Sequence, residues 1–267
     1  MNRIALVFQA FKQDSVKMAE EAAIWLNKRG HEAELYSAFD LSPECPGRTS
    51  LAIAFGGDGT TLRAARWFAG TETPVLSVRM GTLSFLGEVD PDELFKVLPD
   101  YLEGDFWVEE RAMLEGHFNG HTAYALNDIV VARGGALRAV RIDVAVDGEH
   151  VTRYLADGIV VSTATGSTAY SLAAGGPVVA PELRCMILTP IAPHLNVLHS
   201  LVVGETSTIE LTSLPGQQAL LTVDGHEDIA LAPEMAVTVK LADCQSRFAR
   251  RGPRGVFYRS IAAKLHR

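Results

Sequence analysis

Residues 56–60 read Gly-Gly-Asp-Gly-Thr, one carboxylate among three glycines. The loop follows an apolar run at 51–55 and precedes a helical pattern. Glycines allow positive φ and close approach of a ligand to the backbone. The amides that open the following helix can cradle phosphate oxygens. Thr60 or Thr61 can cap that helix or bond a phosphate, and Asp58 lies within reach of the same ligand. The loop lacks the Gly-Lys-Ser/Thr of a Walker A motif and is not a G-x-G-x-x-G fingerprint. The same five residues also suit a tight βα turn whose aspartate caps its own helix. Taken alone, the loop does not choose between these.

A second constellation spans 156–181, ADGIVVSTATGSTAYSLAAGGPVVAP. Asp157 and Gly158 open a buried strand, residues 162–168 are dense in hydroxyls and glycine, and Tyr170 follows. Small and hydroxyl side chains let a planar ligand lie close and find hydrogen bonds, and an aromatic ring beside them can stack on a base. A serine- and threonine-rich loop with a structural tyrosine fits a shorter stretch better than so long a run of small residues.

Both constellations need elements to hold them. Residues 3–9, 31–37, 50–55 and 74–80 read as strands. They are separated by helical patterns at 14–30, from 58 through 69, and at 91–104. The first helix has a polar N-cap and a glycine stop, and the third has proline at its start and glycine at its end. Strands alternating with helices predict a parallel sheet covered by helices, with ligands at the carboxyl ends of its strands. Residues 56–60 fall at such an end. From Asp105 the pattern becomes β-rich, with Asn119-Gly120 and Asp147-Gly148 as hairpin signals. One short helix is predicted at 166–176, and the tail from Arg250 turns helical again. The fold class is therefore α/β plus β. An α/β phosphate-donor domain covers 1–104 plus about 245–267, a β-rich domain covers 105–244, and the C-terminal segment returns to the first domain.

Composition narrows the function classes. The chain has 267 residues, 48% hydrophobic and 21% charged, with a net charge of −8. An acidic chain argues against nucleic-acid binding, so an anionic ligand must be held by amides, a few arginines or a metal. No apolar segment approaches the ~20 residues a membrane helix needs, and the run at 4–8 is too short for a signal peptide. The three cysteines, Cys45, Cys185 and Cys244, form no CxxC pair. That gives no zinc or disulfide framework and points to a reducing cytoplasm.

With GGDGT at 56–60, Asn127-Asp128, TATGSTAY at 163–170 and GGP at 175–177, the sequence closely resembles the NAD kinase family. RMGTLSFLGEV (79–89), PIAPHLNVLHSLVV (190–203) and VDGH (223–226) resemble further family segments in the family's order. The resemblance covers nearly the whole chain. GGDGT alone is shared with diacylglycerol, sphingosine and phosphofructo-kinases; the GSTAY run is much more specific.

The resemblance implies that the 2′-hydroxyl of the adenosine ribose of NAD attacks a terminal phosphoryl group, giving NADP. It implies a Rossmann-like first domain, NAD bound between the two domains, ATP or polyphosphate as donor, Mg²⁺ as divalent metal, and a homodimer or homotetramer. Carried over residue by residue, Asp58 is the general base on the 2′-hydroxyl, and Gly56, Gly57, Gly59 and Thr60 shape the phosphate loop. Asn127 and Asp128 bind the adenosine moiety. Thr168, Ala169 and Tyr170 line the adenine pocket with Asp157 beneath, Ser171 is a further NAD-binding residue, and Phe85 walls the site. Arg63 and Arg138 match positions of ligand contact and read equally as solvated surface arginines. His226 is a ligand donor or an exposed turn residue. No metal ligand is assigned. Another GGDGT kinase acting on a lipid or sugar, and a non-catalytic dinucleotide-binding regulator, are the alternatives.

Four positions depart from the family pattern. Asp128 replaces the usual Glu and is one methylene shorter. Arg79 stands for Asn, Leu155 for a basic residue, and Ala164 for a Pro.

Overall fold

The computed structural model describes residues 1–81, 84–135, 139–194, 199–255, 257–258 and 261. The chain divides into two compact units, Met1–Glu110 with Gln245–Arg267, and Arg111–Cys244.

The first unit runs β1 (Arg3–Phe8), α1 (Gln13–Asn27), β2 (Glu32–Ser37), β3 (Leu51–Gly56), α2 (Asp58–Trp67), β4 (Val75–Arg79) and α3 (Leu94–Glu103). The strands are parallel in the order β2-β1-β3-β4, with Leu6 beside Leu35 and Ile53, and Ile53 beside Leu76. This is the parallel sheet that the strand–helix alternation predicts, in the Rossmann-like arrangement that the resemblance implies. β3 is buried along its whole length while β2, at the edge, is half-exposed. That difference matches the continuous apolar run of one and the alternation of the other.

α1 buries Ser15, Ala19, Ala22, Ala23 and Leu26, one stripe at helical spacing. Its expected polar cap is absent: Lys12 precedes the helix and no side chain caps it. The Ser15 hydroxyl instead donates to the Phe55 carbonyl and accepts from the Gln9 amide, tying α1 to β3. α3 starts at Leu94, three residues after Pro91, because residues 91–93 form a turn first. Gly104 ends it at φ 84°, a left-handed position that favours glycine.

The second unit is antiparallel. Its strands are β5 (Trp107–Phe118), β6 (His121–Ala125), β7 (Asp128–Arg133), β8 (Val140–Val146), β9 (Glu149–Ala156) and β10 (Gly158–Thr163). A 3₁₀ turn at Gly166–Thr168 and the short helix α4 (Tyr170–Ala173) follow. Then come β11 (Cys185–Ile191), β12 (Leu201–Gly204), β13 (Ile209–Ser213), β14 (Ala219–Val223), β15 (His226–Leu231) and β16 (Ala236–Arg250). β5 and β16 carry the chain across the unit boundary.

One sheet of this unit has the order β12-β11-β10-β7-β14-β15; in the other, β13 joins β16 to β8, and β9 follows β8. Inward residues of both, among them Ile129, Ile159, Ile142 and Val239, make one core. Three hairpins turn on residue pairs with positive φ: Asn119-Gly120, Asp147-Gly148 and Asp224-Gly225. Two-residue turns of this kind match the twist of the flanking strands. The end of β16 returns to the first unit, where Phe248 pairs with Val75 of β4.

Candidate active site

In the first unit, buried β3 ends at Gly56, Gly57 precedes α2, and Asp58 is the first helical residue. Gly56 is required by close packing, since a Cβ there would lie 2.2 Å from the Thr60 hydroxyl oxygen. Gly57 and Gly59 differ, because a Cβ on either would meet nothing within 4 Å. The protein's own packing does not demand glycine at those two positions, which border open space. At the start of α2 the Thr60 and Thr61 amides donate to the Gly57 carbonyl at 3.1 and 3.2 Å, which leaves the Asp58 and Gly59 amides without an intrahelical partner.

Asp58 does not cap its own helix. Its carboxylate accepts from the Ser84 hydroxyl, from the Phe85 amide at 2.9 Å and from the Leu86 amide at 3.1 Å. Ser84 is held in turn by the Gly87 amide at 2.7 Å. Three donors from another segment therefore fix both carboxylate oxygens in orientation. Thr61 is fully buried, bonded to Ser77 at 2.7 Å and to the Gly57 carbonyl at 3.3 Å, so its hydroxyl serves the fold. A cleft of about 390 Å³, lined in part by Asp14, Lys17, Arg79 and Met80, adjoins the loop. The Met80 amide donates to the Gly56 carbonyl at 2.9 Å.

In the second unit the organising residue is one the sequence did not single out. Asp224, in the β14–β15 turn at φ 50°, is 8% exposed. Its carboxylate accepts from the amides of Leu126, Asn127 and Asp128 at 2.9, 2.7 and 3.1 Å. The Asp224 amide donates back to the Asp128 carbonyl at 2.9 Å. On the other side, the Thr163 amide donates to the Asn127 carbonyl and the Thr163 hydroxyl to the Leu126 carbonyl. Gly166 packs so tightly on Asn127 that a Cβ would lie 2.1 Å from its carbonyl oxygen. Asn127-Asp128 and the hydroxyl-rich loop are thus one assembly. The Asp128 carboxyl is 5% exposed, and among the described residues no donor reaches it. Burial first, and the Asp224 charge second, push its pKa up to about 7.

Two family models match the chain: the ATP-NAD kinase N-terminal domain over residues 7–106 and the ATP-NAD kinase C-terminal domain over residues 126–251. The chain belongs to the NAD kinase family. An NAD kinase of Chloroflexus aurantiacus is 37% identical over 276 residues, covering 100% of this chain and 99% of the relative. That of Acidobacterium capsulatum is 38% identical over 285 residues, covering 99% and 98%. Among solved structures, yeast NADH kinase complexed with NADH has a TM-score of 0.85 at 25% identity, covering 100% of this chain and 88% of that one. An Archaeoglobus fulgidus NAD kinase in complex with ATP has a TM-score of 0.81 at 26% identity, covering 99% and 98%.

The NAD kinase motifs divide into those the structure brings together and those it does not. Thr168, which ends the 3₁₀ turn, and Ala169 after it are half-buried, and Tyr170 is 45% exposed, its ring open to a stacking partner. Ser171 is turned inward, fully buried, with its hydroxyl on Thr189 at 3.1 Å. His226 begins β15, half-buried, next to the turn that holds Asp224.

Asp157 is not beneath this group. It precedes β10 while residues 163–170 follow it, and the strand between is roughly 16 Å long. Asp157 is ion-paired there with Arg133 at 3.1 Å. Phe85 joins the first-unit site through its amide on Asp58, and Arg63, on α2, lies over the Phe39 ring at 4.5 Å. Arg138 lies outside the described residues. The departure at Arg79 is an ion pair with Asp90 at 2.9 Å.

Sequence reasoning missed Ser84, Leu86 and Asp224, whose parts are hydrogen bonds across 26 to 98 residues of chain. Ser84 and Leu86 lie in the 79–89 segment and Asp224 in the 223–226 segment, both of which resemble the family, but the residue types gave none of the three a role of its own. The basic cluster from Arg247 is not a free basic face. Arg247 pairs with Glu72 and Glu110, Arg250 with Glu88 and Glu109, and Arg251 with Asp100 and Asp105.

Proposed function

We propose that this chain is an NAD kinase that phosphorylates the 2′-hydroxyl of the adenosine ribose, with Asp58 as general base. The observation that carries this is a carboxylate oriented by three protein donors at the start of a helix, between two glycines that border open space. Asp58 takes the hydroxyl proton as the ribose oxygen attacks the terminal phosphorus. The bond from that phosphorus to the donor's bridging oxygen breaks, and the shortened donor leaves. General-base assistance is worth ~10²–10⁴-fold; the rest is positioning and charge neutralisation. The amides opening α2 receive donor phosphate oxygens, and the cleft beside Met80 gives the rest of the donor room.

The second unit supplies recognition. Asn127 and Asp128 address the adenosine moiety, Thr168, Ala169 and Tyr170 its base, and His226 is placed to donate to the same ligand. Asp128 gives hydroxyls an acceptor once it has lost its proton. Asp157, with Arg133, and Arg63 are secondary ligand contacts in this scheme, and Arg138 is retained from the family match.

Mg²⁺ belongs to the proposal as the donor's companion. Among the described residues no group of three His, Cys, Asp or Glu could hold a metal ion. That suits Mg²⁺, which keeps its waters and binds substrate phosphates rather than a protein cage; when present it neutralises donor charge. ATP is the donor we favour over polyphosphate, by the family description and the ATP-bound archaeal relative. A homodimer or homotetramer in the cytoplasm is the family's expectation. No helix among the described residues is long and apolar enough to cross a membrane.

Incubating the protein with NAD, Mg²⁺ and either ATP or polyphosphate, and separating the products, tests the proposal. NADP should form with ATP. A protein that binds NAD but yields no NADP with any donor contradicts it and leaves the non-catalytic regulator. A lipid or sugar kinase would gain no thermal protection from NAD.

A further inference from the structure

Arg250 closes β16 and is only 7% exposed. Its guanidinium donates to Glu109 at 2.8 Å, to the Leu86 carbonyl at 2.9 Å and to Glu88 at 3.1 Å. The two carboxylates answer the cost of burying a charge. The carbonyl is a different kind of contact. Leu86 gives its amide to Asp58, within the segment whose Ser84 and Phe85 also donate to that carboxylate. One end of the Leu86 residue is held by Arg250, and the other holds Asp58.

The grip has a second point. Glu88, two residues on, also accepts from the amides of Arg251 at 2.9 Å and Gly252 at 3.2 Å. Residues 84–88 are therefore clamped by the end of β16. A planar fork can serve two carboxylates and a carbonyl together; a lysine ammonium on its flexible stem cannot do so in the same geometry. Neighbouring Arg251 is a natural contrast. Its side chain makes ion pairs with Asp100 and Asp105 and does not reach the donors of Asp58.

We propose that Arg250 is a positioning residue for Asp58, acting through Leu86 and Glu88. This rests on Asp58 being the general base. The return of the chain to the first unit then has a purpose, because it fixes the segment that aims the base. A displacement of about 1 Å at a reacting group can cost ~10²-fold in rate, so losing the clamp should lower kcat while KM for NAD changes little.

The test is steady-state kinetics on Arg250→Met, Arg250→Lys, Arg251→Met, Asp58→Asn and the double variant Asp58→Asn/Arg250→Met. Each is assayed well below its own melting temperature, with the folded fraction measured by circular dichroism. Arg250→Met should lower kcat by roughly 30-fold with Asp58 present and by less than about twofold in the Asp58→Asn background, as coupled residues do. Arg251→Met should leave kcat within about twofold even where it lowers the melting temperature. If Arg250→Met does not fold, Arg250→Lys carries the comparison, with roughly a tenfold loss expected only when Asp58 is present. Equal proportional losses in both backgrounds, or a wild-type kcat in a folded Arg250 variant, overturn the positioning alone. A wild-type kcat in Asp58→Asn overturns the base assignment and the positioning with it.

Discussion

Asp58 and Asp128 each open a regular element, α2 in one unit and β7 in the other, and their surroundings are opposite. Asp58 is partly exposed and accepts three hydrogen bonds from residues 84–86. Asp128 is 5% exposed and faces the charge of Asp224. The first arrangement aims a carboxyl group. The second makes ionisation costly and ties it to whatever replaces the lost water. Under the proposed function, the first carboxyl serves the reaction and the second serves recognition that depends on its proton.

The largest expected effect breaks the first half of this comparison. Asp58→Asn should lower kcat by about 10²–10⁴-fold, with the melting temperature little changed because the side chain is partly exposed. Next comes Asp224→Ala, which strips the acceptor from three amides. It should destabilise the protein by about 3 kcal/mol in denaturant titration, since unsatisfied buried donors cost ~1–3 kcal/mol each. It should also raise KM for NAD roughly 30-fold, as Asn127 and Asp128 lose their alignment.

A smaller effect sharpens the second half. Below about pH 7 Asp128 is a neutral acid that accepts only weakly, and above it the carboxylate makes stronger, charge-assisted bonds to ribose hydroxyls. KM for NAD should therefore fall by about tenfold as pH rises from 5 to 8, and Asp128→Asn should flatten that slope. The stability sign is fixed by the same shift. A carboxyl whose folded pKa is raised favours the folded state at low pH, and that benefit is lost as pH rises through about 7. Asp128→Asn should raise the melting temperature at pH 8 and leave it nearly unchanged at pH 4. The smallest effect belongs to Asp128→Glu, which restores the family's longer side chain. The added methylene must fit a buried site, and we expect KM for NAD to move by less than about threefold in either direction.

Much of the fold was legible because its signals are local. The continuous apolar run of β3, the alternation of β2, Gly104 and the pairs at 119–120 and 147–148 each fix a conformation within a few residues. The α1 cap escapes a local reading because the Ser15 hydroxyl finds its partners on β3 and at Gln9. In the site, Asp58 and the residues after Thr163 could be recognised from their types and order. What holds them could not. Ser84, Leu86, Asp224 and Arg250 work through contacts with partners far along the chain. Arg250 in particular sits in a run of arginines whose paired carboxylates, Glu88 and Glu109, only folding brings near. Asp157 shows the same limit: its adjacency in sequence to the motif at 163–170 becomes the length of strand β10 in space.

The central claim, that one aspartate does chemistry and the other recognition, is tested most directly by measuring kcat and the Kd for NAD at pH 8 for Asp58→Asn and Asp128→Asn side by side. Asp58→Asn should lose at least about 100-fold in kcat with Kd unchanged. Asp128→Asn should weaken binding roughly tenfold with kcat at saturating NAD within about threefold of wild type. An Asp58→Asn enzyme that turns over normally, or an Asp128→Asn enzyme that binds NAD normally and fails only in turnover, would contradict the account.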